Sequence, residues 1–268
     1  MNIIQTVTHH WDLIANLVGR DLKSRYRGSA VGLLWTVLNP LFMAVIYVFF
    51  LRLLAGSRVG VAVEDIIIGV FAWQFTVHCI HAGMDCFTGN ANLVKKVYFP
   101  RIILPLSVSF SALVNFAITV VVQIVLVAVL LHLRGLAPSA WTFALPLLAL
   151  YQTLFNLALI LLLSAANVYF RDTQHVVSLL ISAWFFMSPV MYPLSFVEAV
   201  GRHVPWLMDV YMLNPLAVII TGYRTLQVPG EAFPWSYAAV AGWIWPMLFL
   251  VLAYIVFQKA QRYFSDVI

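Results

Sequence analysis

At 268 residues, of which 63% are hydrophobic and only 9% charged, this chain has more apolar surface than a soluble domain of its size can bury, so lipid must cover the remainder. The formal net charge of +5 comes from bases set in small groups beside apolar stretches, which argues against nucleic acid and for a positive-inside topology signal. Backbone groups in hydrocarbon must be hydrogen-bonded internally, and the apolar runs are continuous rather than alternating, so the spans read as α-helices and not as a barrel.

From Met1 to Gly19 no basic cluster precedes a short apolar run, so no cleavable signal peptide is expected and the N-terminus should stay in the cytoplasm. Trp11, Ile14, Leu17, Val18 and Leu22 recur at helical spacing, with Asp12, Asn16, Arg20, Lys23 and Arg27 on the other side. Residues 1–30 therefore read as a helix lying flat on the cytoplasmic leaflet, the alternative being a juxtamembrane segment whose bases only set topology.

A span needs about 20 apolar residues, and six stretches meet that: Leu33 to Leu54, Ile66 to Phe87, Leu104 to Leu131, Phe143 to Ala166, Val176 to Met191 and Ala238 to Phe257. An even number puts both termini on one side. With the termini inside, the cytoplasmic segments hold ten of the fifteen Lys and Arg residues, so both ends are expected in the cytoplasm. The expected fold is an all-α integral membrane domain occupying the whole chain, 1–268, with no internal repeat or hydrophilic linker.

The second span carries Gln74, His78, His81, Asp85, Thr88 and Asn92 at steps of four, three, four, three and four, one polar stripe down one helix face. Ionisable groups facing hydrocarbon are costly, so this face should meet other helices or a water-filled path. His78, His81 and Asp85 share a face, but three helical ligands without a fourth of obvious spacing do not make a metal site, and none is expected. The third span places Ser107, Ser111, Asn115, Thr119 and Gln123 at every fourth residue, and the fourth offers Gln152, Asn156 and Asn167. Hydrogen bonding between helices and a pore lining both explain these.

Cys79 and Cys86 lie seven residues apart on one expected helix, roughly 10 Å at 1.5 Å per residue, too far for a disulfide. Aromatics make up 15% of the chain, among them Trp35, Phe42, Tyr47, Trp73, Phe75, Tyr151, Phe155, Trp184, Phe185, Phe186 and Tyr192. Some belong to an interfacial belt, and aromatic faces also pack against the C–H faces of sugars.

After Ser188 and Pro189, the stretch 193–235 is too apolar for a loop and too broken for a span. Pro193, Pro205, Pro215 and Pro229 divide it into pieces such as Phe196 to Val204 and Leu216 to Leu226. A re-entrant helical hairpin on the outer face or a pair of surface-lying helices would suit it. On the cytoplasmic side, residues 90–101 read as a short amphipathic helix closed by Pro100, and residues 167–172 as a turn with exposed aromatics beside a charge pair. Either these segments are gripped by a cytosolic partner or their bases merely fix topology. No Gly-Lys dipeptide occurs, so no Walker A phosphate loop exists; the His-Glu-x-x-His and Gly-x-Ser-x-Gly signatures are also missing.

Arg20-Asp21-Leu22-Lys23-Ser24-Arg25-Tyr26-Arg27-Gly28-Ser29-Ala30-Val31-Gly32-Leu33-Leu34-Trp35 followed by Leu38-Asn39-Pro40-Leu41 resembles the opening of type-2 export permeases of the ABC transporter superfamily, in their O-antigen, teichoic acid and capsular polysaccharide branch. The resemblance runs through Val97-Tyr98-Phe99-Pro100-Arg101, Tyr169-Phe170-Arg171-Asp172, Ser188-Pro189-Val190-Met191-Tyr192-Pro193, Leu213-Asn214-Pro215 and Gly222-Tyr223-Arg224.

It implies a transport subunit rather than an enzyme, in the bacterial cytoplasmic membrane. Two copies would form a path at their interface and pair with two cytosolic ATPase subunits, which bind the ATP and magnesium; no cofactor is implied in this chain. The cargo would be a lipid-linked polysaccharide. Asn92, Lys95, Lys96, Tyr98, Phe99, Arg101, Tyr169, Phe170, Arg171 and Asp172 would couple to the ATPase. Arg20, Lys23, Arg25 and Arg27 would attract the lipid diphosphate. Trp35, Phe42, Gln74, His78, His81, Asp85, Asn115, Tyr151, Phe155, Trp184 and Phe185 would line the channel. Ser188, Pro189, Tyr192, Pro193, Pro215, Tyr223 and Arg224 would form the outer gate. Two alternatives use His78, His81 and Asp85 differently, as the relay of a proton-coupled secondary transporter or as the catalytic groups of a membrane-embedded glycan-modifying enzyme.

Overall fold

A backbone that meets no water can satisfy its polar groups only along its own helix, and every regular element among the described residues is helical. The computed structural model describes residues 3–26, 34–55, 62–170, 172–202, 204 and 206–264, with side chains at all of these except 3, 4, 25, 26, 54 and 55. Arg27, the Gly28 to Leu33 part of the opening motif, Arg58, Arg171, Pro205 and the side chain of Arg25 lie outside the described residues. In chain order the α-helices are α1 (Ile3–His9), α2 (Trp11–Tyr26), α3 (Leu34–Ala55), α4 (Val63–Met84), α5 (Ala91–Lys96), α6 (Ile103–Leu133), α7 (Leu145–Tyr169), α8 (Thr173–Phe186), α9 (Leu194–Gly201), α10 (Leu207–Met212), α11 (Pro215–Gln227) and α12 (Tyr237–Ala260).

Five of these, α3, α4, α6, α7 and α12, are long and apolar enough to cross a membrane. The expected span from Val176 to Met191 is realised differently, as the 14-residue α8 followed by a turn. At 1.5 Å per residue α8 is about 21 Å long, short of the roughly 30 Å hydrocarbon core. Among the described residues, the broken stretch that follows holds the short helices α9, α10 and α11, between the prolines as expected.

Helix α4 is the hub, packed by α3, α6, α7, α8 and α11. Of its most apolar stretch 72% is buried, against 17% for α3 and 22% for α6 and α12, so those three present wide apolar faces outward. Gly83 lets α7 come close, since a Cβ there would lie 2.7 Å from Ile160. Along α2, Ile14 and Leu17 are buried against the first turns of α6. The Trp11 ring stands 6.1 Å from that of Phe110, and Asp21 accepts a hydrogen bond from Ser111. Residues ten apart on α2 thus meet adjacent residues of α6, so α2 crosses α6 instead of running beside it.

The two ends of the bundle are tied differently. At one end α6 stops in a Schellman motif: Leu136 N–H bonds Leu131 O at 2.9 Å, Gly135 N–H bonds His132 O at 2.9 Å, and Gly135 takes φ of 74°. That turn delivers Arg134 to the buried carboxylate of Glu64 in the first turn of α4. Close by, Ser139 N–H bonds Gln227 O at 3.1 Å, and Gln123 donates to Gln227 Oε1 at 2.7 Å. At the other end Asn167 donates to Met84 O at 2.8 Å, Tyr169 to Ala260 O at 2.8 Å, and Arg20 to Asn90.

Helix α8 and its following turn run from one end to the other. Gln174, in its first turn, donates to Asp85 just past the end of α4. Tyr192, beyond its last turn, offers its carbonyl to Arg224, which also bonds Asp65 at the start of α4. The junction of α10 and α11 lies against the flank of α12: Trp245 donates to Leu213 O at 2.8 Å, and a Cβ on Gly242 would sit 2.2 Å from Met212 O. Gly242 and Trp245 are five and eight residues into α12, so that junction meets the helix about 8–12 Å from its start.

Candidate functional site

The polar face of α4 is the first element. Gln74 and His78 are half-buried, and His81 and Asp85 are exposed, so the stripe emerges from the helix packing toward the Asp85 end. Gln174 of α8 bonds Asp85 Oδ1 at 2.5 Å and begins a second stripe, Gln174, Ser178 and Ser182, at steps of four along α8. Each serine bonds the carbonyl four residues back, at 2.7 Å and 3.0 Å. This α8 ladder is absent from the sequence reading, where two serines in an apolar run carry little weight; their four-residue spacing from Gln174 is the signal that identifies them.

Aromatic rings close the opposite end of this face. Phe185 packs against Tyr47 of α3 at 5.3 Å and Trp73 of α4 at 5.5 Å, and Trp184 lies 6.1 Å from both Trp73 and Phe155. Trp184 is further fixed by its Nε1–H to Asn214 at 2.9 Å. Trp35 and Phe42 of α3 are exposed. Of two other candidates, Phe155 is 1% exposed and packs α7 against α8 and α12, while Tyr151 is half-buried, bonds Trp243 O and packs edge-on to the Trp243 ring. Among the described residues no group of three His, Cys, Asp or Glu side chains is arranged to hold a metal.

The polar residues of α6 and α7 act mainly between helices. Gln152 donates to Ala72 O at 2.8 Å and Thr76 Oγ1 at 3.0 Å, and Thr76 donates to Asn156 at 2.9 Å, all buried. Ser107 and Thr119 bond carbonyls of their own helix, and Gln123 meets Gln227. Asn115 is half-buried. Hydrogen bonding within and between helices accounts for Ser107, Ser111, Thr119, Gln123, Gln152, Asn156 and Asn167.

The gate candidates converge on a buried joint. Arg224, 2% exposed, donates to Asp65 O at 3.2 and 2.9 Å, Pro189 O at 2.6 Å and Tyr192 O at 3.1 Å. Ser188, fully buried, accepts from Asn214 at 2.9 Å. Tyr192 donates to Phe186 O and accepts from Tyr211 at 3.0 Å. Pro193 and Pro215 start α9 and α11, and Tyr223 is buried against Phe116. Asp65 and Glu64 are missed by a span taken to begin at Ile66; the helix begins at Val63, which buries both carboxylates. In the connection after α11, Glu231 keeps contact with water, yet desolvation and then the Asp65 charge push its carboxyl up to about 7, against the pull of Arg224.

At the Asp85 end of α4, α5 is followed by extended backbone from Val97, as expected before Pro100. Tyr98 is fully exposed, Asn92, Lys95 and Lys96 are exposed, and Phe170 is 70% exposed with Asp172 beside it. Phe99 points inward, 4% exposed, with the Arg101 guanidinium 5.4 Å above its ring and bonded to Val94 O at 2.8 Å. Tyr169 is tied to Ala260 and packs 6.0 Å from Phe264. The surface a partner could grip is therefore Lys95, Lys96, Tyr98, Phe170 and Asp172, with Phe99 and Arg101 bracing it. Burial pushes the Cys86 thiol up, so this cysteine is an unreactive part of the same inner core. Arg20 and Lys23 are exposed on α2 beside Asn90.

Comparison with known proteins bears on all of these surfaces at once. The ABC-2 type transporter family profile matches residues 12–228. An O-antigen export system permease protein RfbA of Klebsiella pneumoniae is 29% identical over 259 residues, covering 96% of this chain and 95% of the relative. One of Myxococcus xanthus, with the same name, is 32% identical over 230 residues, covering 84% of each.

Proposed function

The chain belongs to the ABC-2 type transporter family, and from that premise we propose that it is the membrane subunit of an ATP-driven O-antigen exporter. The observation that carries this is the similarity to O-antigen export permeases along 96% of the chain, on a bundle with five apolar helices long enough to span a membrane. Two copies would face each other across the α3 and α8 surfaces, whose apolar side chains Phe42, Phe49, Leu179 and Phe186 are exposed in the single chain. The α4 and α8 polar ladders then lie beside a path for sugar hydroxyls, with Trp73, Trp184 and Phe185 at its far end.

In this reading α8 with its turn makes a sixth crossing, supported by the Gln174 bond to Asp85 at one end of α4 and, at the other end, by Arg224, which bonds both Asp65 O and the Pro189 and Tyr192 carbonyls of the turn. Both termini are then cytoplasmic. Helices α9 to α11 form a re-entrant outer gate, supported by the depth of the Leu213 to Trp245 contact. Helix α2 lies in the inner interface, supported by its crossing of α6, and its Arg20 and Lys23, with Arg25 and Arg27, attract the cargo's diphosphate. A cytosolic ATPase binds the ATP and magnesium and docks at Tyr98 and Phe170.

Removing this chain from its host should abolish surface O-antigen and leave lipid-linked glycan on the cytoplasmic leaflet, with export restored by the intact chain. Undiminished surface O-antigen in its absence would refute the assignment. Changing Arg20, Lys23, Arg25 and Arg27 together to Gln should stop export from an assembled complex.

A further inference from the structure

The Arg224 joint is unlike ordinary packing. Its guanidinium is buried and spends its hydrogen bonds on backbone carbonyls from two segments, Asp65 in α4 and Pro189 and Tyr192 after α8. The nearest formal counter-charge, the Asp65 carboxylate, is 4% exposed, and its Oδ1 has no hydrogen-bond partner among the described residues. A buried guanidinium that bonds only neutral carbonyls and a buried carboxylate oxygen without a donor are both costly. Each is the natural partner of the other, since Arg binds carboxylates more strongly than neutral carbonyls.

Arg224 ties this connection to α4 by hydrogen bonds to both. Gly69 gives it room: a Cβ there would lie 2.4 Å from Val190 O and 3.1 Å from Arg224 Nη2. With Ser188 and Val190 fully buried, the peptide from Ser188 to Tyr192 seals one end of the α4 face. Two arrangements of one guanidinium are therefore available. In the first it holds the carbonyls of Pro189 and Tyr192, and the seal is closed while Asp65 is unpaired. In the second it pairs with the Asp65 carboxylate, and the released carbonyls turn to water as the peptide lifts from Gly69. Each arrangement gains what the other gives up, which is the condition for a bistable element.

We propose that Arg224 and Asp65 form a two-position latch, with Arg224 on the Pro189 and Tyr192 carbonyls in the closed state and on the Asp65 carboxylate in the open one. The role of the latch in export rests on the exporter reading; its existence does not.

The test uses the full chain with Cys79→Ala, Cys86→Ala and Val190→Cys, in lipid nanodiscs, labelled with a water-soluble maleimide. The closed latch should keep labelling slow. Arg224→Gln should speed it about tenfold, and Arg224→Lys, which keeps the charge but reaches fewer carbonyls, should give an intermediate rate. Asp65→Asn, which keeps the backbone carbonyl, should leave labelling slow yet cut ATP-driven glycan export by the assembled complex about tenfold, with ATP hydrolysis continuing. Labelling unchanged by both Arg224 variants, accelerated labelling in Asp65→Asn, or wild-type export by Asp65→Asn would each overturn the latch. The labelling arm needs neither ATPase nor glycan, so it decides the latch even if the parent protein transports nothing.

Discussion

Gly69 and Val190 are in backbone contact so close that a single added methyl would stand 2.4 Å from the Val190 carbonyl oxygen. Because the obstacle is backbone rather than a flexible side chain, Gly69→Ala should force the Ser188 to Tyr192 peptide away from α4, costing about 1–3 kcal/mol as overpacking does. Thermal unfolding in detergent should show a clear drop in midpoint. Gly19→Ala, where nothing lies within 4 Å of the added carbon, should show none.

The amides between α4 and α7 are assigned to helix association, not to the cargo. Asn156→Leu removes the acceptor of Thr76 and should lower stability by about 0.6–2 kcal/mol, the range for hydrogen bonds between membrane helices. Export per folded complex should stay at the wild-type level. A selective loss of transport with unchanged stability would place Asn156 on the path instead.

Around α5 and the end of α7, exposure separates the proposed docking groups from their support. Tyr98→Ala and Phe170→Ala remove exposed rings and should leave the thermal midpoint unmoved while weakening co-purification of the ATPase. Phe99→Ala empties a buried site and should cost about 3–5 kcal/mol. If Tyr98→Ala destabilised the isolated chain as much as Phe99→Ala, the exposed surface would be part of the core and not a docking site.

Glu231 gives the Arg224 joint a pH dependence with a definite sign. Its carboxyl sits up at about 7, raised by desolvation and by Asp65, against an ordinary value near 4.3 when unfolded. The folded state therefore holds the proton more tightly. The stability it contributes is present in full below the unfolded value, and is lost as pH rises toward and through 7. Detergent-solubilised protein should unfold at a higher temperature at pH 5.5 than at pH 8, and Glu231→Gln should flatten that difference. A midpoint rising with pH through this window in the wild type, and unaffected by the substitution, would contradict the assignment.

How much of this was written locally differs from element to element. Five spans follow from hydropathy alone, and the stripe from Gln74 to Asp85 is legible because helical periodicity is a property of neighbouring residues. Hydropathy gauges composition and not hydrogen bonding, so it runs Val176 to Met191 together although the helix ends at Phe186. Asp65 and Glu64 look like the polar margin of a span because their partners are remote: Arg134 and Arg224 stand 70 and 159 residues further along the chain. The same holds for Gln123, whose partner Gln227 is 104 residues away. For the aromatic residues, spacing cannot tell Phe42, which is exposed, from Phe155, which is buried; only the packing of α7 against α8 and α12 decides that.

In the proposed function this chain moves a lipid-linked glycan on energy delivered by a separate ATPase. Vesicles holding the chain, the ATPase and lipid-linked O-antigen should translocate the glycan when ATP is supplied, and stop when the ATPase is omitted or its nucleotide cannot be hydrolysed. Translocation driven by an imposed proton gradient with no ATPase present, and lost on changing His78, His81 or Asp85, would contradict it and favour a proton relay on α4.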